Sequence, residues 1–390
     1  MNFLNLTFGA LAVLSFALLL WQILAARKFP LHRKIADPTV APAISILKPL
    51  KGCDATTRES LETWLNQNYS GPIQILFGVA DANDSVCKIV QDLLQKNPRQ
   101  NAQLAVCPEN LGANGKVSTL AQLEKLAQHD LILISDADVR VPPDFLVNFV
   151  TPLREEKTGL VNCFYRLANP TTTAMQWEAV AINTDFWSQV LQSQTLKPLD
   201  FALGAAILIR KKSLEEIGGF KSLANCLADD YQLGNRVFKN GGAIALCPVV
   251  VECWDAPANW RDVWKHQLRW ARTIRVCQPL PYFFSILSNA TFWPLLWLGV
   301  SVATTKTFCA PLTAIVFVLL RIVLAQDLQR RFSLNSQLST LNRISPFWLV
   351  PLKDLLQAAL WLGAFLGNTV EWRGQKMKLR RDGTLEAGGR

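Results

Sequence analysis

The chain has 390 residues, enough for one large domain with added elements or for two smaller ones. Half of it is hydrophobic and only 18% is charged, below the roughly 25% of a soluble domain, which argues against a wholly soluble protein. The net charge of +10 suits anionic lipid or phosphate-bearing substrates, and with no nucleic-acid module and no basic low-complexity arm, nucleic acid is not an expected partner.

Residues 1–26 carry no charge, and residues 3–26 are long enough to span a bilayer. The positive segment that opens a signal peptide is missing, so this stretch reads as a retained anchor. Arg27, Lys28, Arg33 and Lys34 follow directly and place what comes next on the cytoplasmic side. After a proline-bearing linker at 36–42, residues 43–47 read as a first strand running into a turn, Lys48-Pro49-Leu50-Lys51-Gly52. Helical spacing covers 60–68. Residues 73–79 are a second strand ending near Asp81, 85–95 a helix, and 104–106 a short third strand. The polar loop 109–116, with Gly112, Gly115 and Lys116, opens a helix over 117–127.

Residues 131–134 form a fourth apolar strand that ends in Ser135-Asp136-Ala137-Asp138. Strand alternation directs both carboxylates the same way. Open α/β sheets bind ligands at the carboxyl ends of their strands, and paired carboxylates suit Mg²⁺ or Mn²⁺ together with phosphate oxygens. A nucleotide-sugar diphosphate bridged by metal is the sharp reading; a plain strand-end turn is the bland one. Lys48, Asp81 and Lys116 lie at the same expected edge. Asp81 suits a uracil or ribose, and Lys116, at a helix start, suits phosphate. Strand and helix alternate with short connections, which predicts a mostly parallel, doubly wound sheet.

Residues 201–209 read as a strand whose small residues, Gly204 among them, allow close approach. A short helix follows over 210–217. Ala228-Asp229-Asp230-Tyr231 opens a helix reaching Lys239, where the carboxylates serve either as caps or as a general base. Over 260–275, Arg261, Lys265, Arg269 and Arg272 form a basic stripe, with Trp260, Trp264, Leu268 and Ala271 off it. Such a helix can lie among lipid headgroups or hold a leaving diphosphate through Arg269. Residues 276–305 and 307–326 read as two spans, followed by a polar stretch with Arg330, Arg331 and Arg343. Residues 345–367 form a third apolar segment, interrupted by Lys353 and Asp354. A third full crossing there would put the basic tail outside, so it is expected to re-enter or lie on the surface. Nine cysteines without a CxxC pair read as reduced core residues.

In order and spacing, Ser45–Gly52, Asp81, Asp136-x-Asp138, Ala228-Asp229-Asp230-Tyr231, Arg269-Trp270 and the tail Val370-Glu371-Trp372-Arg373-Gly374 resemble the ceramide glucosyltransferase group of family-2/21-like membrane glycosyltransferases. A related group that glycosylates hopanoid lipids looks similar across the same motifs. The resemblance implies a GT-A fold and an inverting, metal-dependent (Mn²⁺ or Mg²⁺) transfer from a UDP-sugar, glucose first, to a lipid hydroxyl. It implies that Asp81 contacts uridine, Asp136 the ribose or metal, and Asp138 the metal. Asp230 is the implied base, and Arg269 with Trp270 would close over diphosphate and acceptor. Lys48, Lys116 and His266 complete the donor side, and Gly204 and Asp229 the acceptor side. His266 stands where the group usually has Gln or Arg.

The expected organisation is an anchor at 1–26, a GT-A domain at 36–258 and an interfacial helix at 259–277. Two membrane helices at 278–326, the third hydrophobic segment at 344–370 and a basic cytoplasmic tail at 371–390 complete it. The expected setting is a bacterial inner membrane, with the catalytic domain cytoplasmic. Two rivals are a processive polysaccharide synthase, which needs a channel that two firm spans hardly supply, and a membrane scaffold with a degenerate transferase domain.

Overall fold

The computed structural model describes residues 3–37, 39–304, 308–333, 345–372 and 375–387. Eight strands form the central sheet: β1 (Ile44–Leu50), β2 (Ile73–Val79), β3 (Asn101–Val106), β4 (Leu131–Ser135), β5 (Val139–Arg140), β6 (Thr158–Leu167), β7 (Ala206–Arg210) and β8 (Ala243–Cys253). Their spatial order is β3-β2-β1-β4-β7-β6-β8-β5. The first four run parallel, as do β6 and β8, while β7 is antiparallel to both its neighbours and β5 to β8.

Alternation divides the core between the two faces of this sheet. Ile44, Ile46, Ile75, Phe77, Leu131 and Leu133 pack on one side with Trp64, Val90 and Phe149. Leu47, Leu76, Ile132 and Ile134 pack on the other with Val117, Leu120 and Leu233. Helices therefore cover both faces, and the carboxyl ends of β1, β2 and β4 meet along one open edge.

Three local expectations change. Residues 48–50 continue β1 instead of turning. Lys48 is fully buried there, and its ammonium stands 4.6 Å from the Trp64 ring centre. The strand expected at 201–209 begins only at Ala206, because the preceding backbone is pressed against the Asp229–Lys239 helix; a Cβ on Gly234 would lie 2.2 Å from the Ala202 nitrogen. Asp136 and Asp138 sit in a turn between β4 and β5 and not on a strand, so alternation does not govern them.

Among the described residues, Phe3–Lys28 and Cys309–Ser333 are long and apolar enough to cross a membrane. The span expected over 276–305 is broken: Pro279–Ser288 and Phe292–Thr304 are bent by 48° to each other. Leu349–Phe365, at 17 residues, extends about 25 Å, short of the roughly 30 Å hydrocarbon core. All nine cysteines are free. The residues after 368 are not a simple tail. β9 (Thr369–Trp372), β10 (Gln375–Leu379) and β11 (Leu385–Ala387) form a small antiparallel sheet. Its apolar face, with Val370, Met377, Leu379 and Leu385, packs on Leu227. Arg343, Arg373 and Gly374 lie outside the described residues.

Candidate active site

The site assembles on the shared edge. β4 delivers Asp136 and Asp138. The helix Gly115–Glu124 delivers Lys116, and Asn114 caps that helix by accepting from the Val117 N–H at 3.2 Å. The helix Asp229–Lys239 delivers its two aspartates at its first turn. Lys116 Nζ joins these elements, lying 2.7 Å from Asp136 Oδ1 and 3.2 Å from Asp229 Oδ2. Burial opposes its charge, but Asp136 and Asp229 outweigh that effect and hold the ammonium above its ordinary range.

Asp230 is the adjacent acid. Burial pushes its carboxyl up to about 6, Asp229 adds to the shift, and Lys116 opposes it. Its Oδ1 accepts from the Tyr231 N–H at 2.8 Å. Gly204 lies directly against it. Burial, with Asp255 and Asp136 close by, pushes Asp138 up to about 7, and Asp138 hydrogen-bonds Asp255. Concentrated acid of this kind is what a cation offsets. Among the described residues, no group of three His, Cys, Asp or Glu side chains could hold a metal unaided. The donor set fits a Mg²⁺ or Mn²⁺ that takes two carboxylates, Asp136 and Asp138, and completes its shell with substrate phosphates.

Lys48 does not face this edge. Its ammonium donates to Ser135 Oγ at 3.2 Å and to the Asp136 carbonyl, and burial lowers its pKa to about 7 despite Asp138 and Asp136. It braces the strand end from beneath. Asp81 is exposed at the end of β2, where its Oδ1 accepts from the Asn83 N–H at 2.9 Å.

The helix Trp260–Cys277 forms the opposite wall. His266 Nδ1 lies 2.7 Å from Glu178 Oε1, which also accepts from Gln267 Nε2 at 2.8 Å. Trp270 packs edge-on against His266 and tilted against Phe186. The basic stripe is not simply turned to solvent. Of its residues, Lys265 pairs with Glu371 at 2.8 Å and Arg272 donates to the Thr369 carbonyl; Arg275, outside the stripe, donates to Asn368 Oδ1. The C-terminal sheet thus covers part of a face expected to meet headgroups, and half-buried Trp264 is stacked on buried Trp177. That sheet also grips the loop before Asp229: Leu385 N–H donates to the Asn225 carbonyl at 2.7 Å and Leu227 N–H to the Gly383 carbonyl at 3.3 Å.

Glu178, Gln267 and Asp255 went unrecognised in the sequence, since each gains meaning only from partners dozens of residues away. Asn114, directly before Gly115, carried a readable capping signal.

A profile described as glycosyl transferase family 21 matches residues 7–385. Ceramide glucosyltransferase 3 of Caenorhabditis elegans is 26% identical over 239 residues, 60% of this chain and 51% of that protein. The probable glycosyltransferase YdaM of Bacillus subtilis is 26% identical over 236 residues, 59% of this chain and 55% of that protein. The chain spans about half the length of these curated relatives. A mannosyltransferase from Pyrobaculum calidifontis, solved with GDP-Man and Mn²⁺, matches 92% of this chain and 98% of its own at a TM-score of 0.55 and 19% identity. The architecture they share is the GT-A fold expected from the sequence.

Proposed function

The chain belongs to glycosyl transferase family 21, and on that footing we propose that it transfers a sugar, glucose first, from a UDP-sugar to the headgroup hydroxyl of a membrane lipid such as ceramide. The observation that carries this reading is the Lys116 ammonium set between Asp136 and Asp229. It supports the reading because one ammonium bridges the residue read as donor-binding, Asp136, and the residue read as acceptor-side, Asp229.

The transfer is a single displacement. Asp230, whose carboxyl burial pushes up to about 6, takes the proton of the acceptor hydroxyl. The acceptor oxygen bonds to the anomeric carbon from the face opposite the leaving group, the C1–O bond to the diphosphate breaks, and UDP departs with the electron pair. The result is inversion. Lys116 and Arg269 offset charge on the diphosphate. His266, its Nδ1 committed to Glu178, and Trp270 line the same wall, while Asp81 stands at the uridine end. Mn²⁺ or Mg²⁺ held by Asp136 and Asp138 would supply further charge stabilisation when bound. The cluster Arg27, Lys28, Arg33 and Lys34 after the first span supports a cytoplasmic catalytic domain.

The test is a transfer assay in nanodiscs with Mn²⁺ or Mg²⁺, crossing UDP-sugars with ceramide, a hopanoid and diacylglycerol, products read by mass. One discrete new lipid mass is the expected result. A ladder of sugars would indicate a polysaccharide synthase instead. Donor binding without any transfer would return the chain to the scaffold reading.

A further inference from the structure

Two buried polar side chains beside the candidate active site have hydrogen-bonding capacity to spare, and neither belongs to the motifs above. The first is Tyr165. β4 and β6 both run antiparallel to β7, so their carboxyl ends open on the same edge, and Tyr165 lies near that end of β6. Ala137, between the two site aspartates, and Trp270 pack on the same core face. Tyr165 is 8% exposed, and its hydroxyl has no hydrogen-bond partner among the described residues. Some of that exposure falls on the hydroxyl itself. Burial, with Cys253, Asp230, Glu178 and Asp136 around it, holds the phenol well above its ordinary range, so it keeps its proton and can donate.

The second is Glu178, from the helix Thr173–Val180. The π-helical turn that follows is tied to the end of β6 by Asn183, whose side chain accepts from the Leu167 N–H and donates to the Leu167 carbonyl, each at 3.0 Å. Glu178 is 7% exposed. Its Oε1 is committed to His266 and Gln267. Its Oε2 has no hydrogen-bond partner among the described residues and, like the phenol, is open to solvent. The charge of Glu178 is also felt by Asp255, the partner of Asp138. The surroundings are otherwise aromatic: Phe186 stands 5.6 Å from the Tyr165 ring centre and 6.2 Å from that of Trp270.

We propose that the Tyr165 hydroxyl and Glu178 Oε2 hold two hydroxyls of the donor's hexose ring. The inference rests on the UDP-sugar reading and adds to it the groups that recognise the sugar, as distinct from the nucleotide. A sugar hydroxyl both donates and accepts. The carboxylate can only accept, and the protonated phenol can give, so the two groups complement neighbouring hydroxyls. A few convergent polar groups on an aromatic wall are what a small ring needs in order to be oriented. The bond to the carboxylate is charge-assisted and is the stronger of the two.

The experiment titrates the full chain in nanodiscs with Mn²⁺, by calorimetry, with UDP, with UDP-glucose and with the monodeoxy analogues of UDP-glucose. Tyr165→Phe should weaken UDP-glucose binding about fivefold, and Glu178→Gln at least about tenfold, while UDP binds each as it binds wild type. Wild type should bind at least one deoxy donor less well than UDP-glucose, and the variant that removes the partner of that hydroxyl should bind the two alike. Glu178→Gln keeps an oxygen for Gln267 and His266. Tyr165→Phe removes only a hydroxyl that no described residue touches, so a packing role alone predicts no change. This variant decides the matter if Glu178→Gln does not fold. Wild-type UDP-glucose affinity in Tyr165→Phe, or an equal loss of UDP and UDP-glucose binding in Glu178→Gln, would overturn the assignment and leave sugar transfer standing. Failure of wild type to bind UDP-glucose would overturn both.

Discussion

Gly204 faces Asp230 so closely that a methyl group at position 204 would sit 2.7 Å from Asp230 Oδ2. The absence of a side chain on one residue thus sets the position of the other's carboxylate. Gly204→Ala should push the carboxylate aside, and misplacement of a reacting group by about 1 Å costs on the order of 100-fold. Steady-state kinetics should show kcat lowered by about 10- to 100-fold with the KM for donor little changed. Unaltered kcat would mean that Asp230 can shift without consequence.

Asp230→Asn should nearly abolish turnover while UDP binding, measured by calorimetry, persists. A base works only when deprotonated. With Asp230 at about 6, kcat should climb as pH rises through 6 and level off above 7. Lys116 holds that value down, so Lys116→Met should move the acid limb to higher pH. A limb that stays in place would separate the observed ionisation from Asp230.

Asp138→Asn should weaken Mn²⁺-dependent UDP binding by at least about tenfold, since a divalent ion bound by one or two carboxylates loses much of its protein shell when one is neutralised. EDTA should have the same effect on wild type. Equal UDP affinity with and without metal would remove the ion from donor binding.

Leu385 is buried against Leu227 and Val370. Leu385→Ala should cost about 2–4 kcal/mol, enough to melt a three-stranded sheet of this size locally. Limited proteolysis should then cut after residue 368, and kcat should fall although the first span remains inserted. Normal turnover in a proteolytically open tail would show that the sheet does not position the loop before Asp229.

Much of the catalytic domain was readable because period-two apolar runs such as 73–79 and strand-end acids such as Asp136 and Asp138 are local signals. The helix at Asp229 and the one at Trp260 announced themselves through their first-turn acids and spacing. What stayed hidden was the long-range pairing. Lys48 reads as a polar turn residue, yet it is drawn inward by Ser135 and the Asp136 carbonyl. The basic residues of the Trp260–Cys277 helix read as a lipid-facing stripe because their partners, Asn368, Thr369 and Glu371, lie about 100 residues later. Lys353 and Asp354 interrupt an apolar segment, and no local signal joins them to Asp185 or Arg321, with which they form buried ion pairs. Only folding shows that they cancel one another.

The C-terminal sheet also has a temporal meaning. The turn carrying Asp136 and the helix carrying Asp230 emerge early during synthesis, but the loop between Asn225 and Ala228 is clamped only when Leu385 arrives. A nascent chain whose helices have already entered the bilayer therefore lacks its final brace. Without Leu385 and its neighbours the loop before Asp229 is unclamped even when every strand of the central sheet is in place.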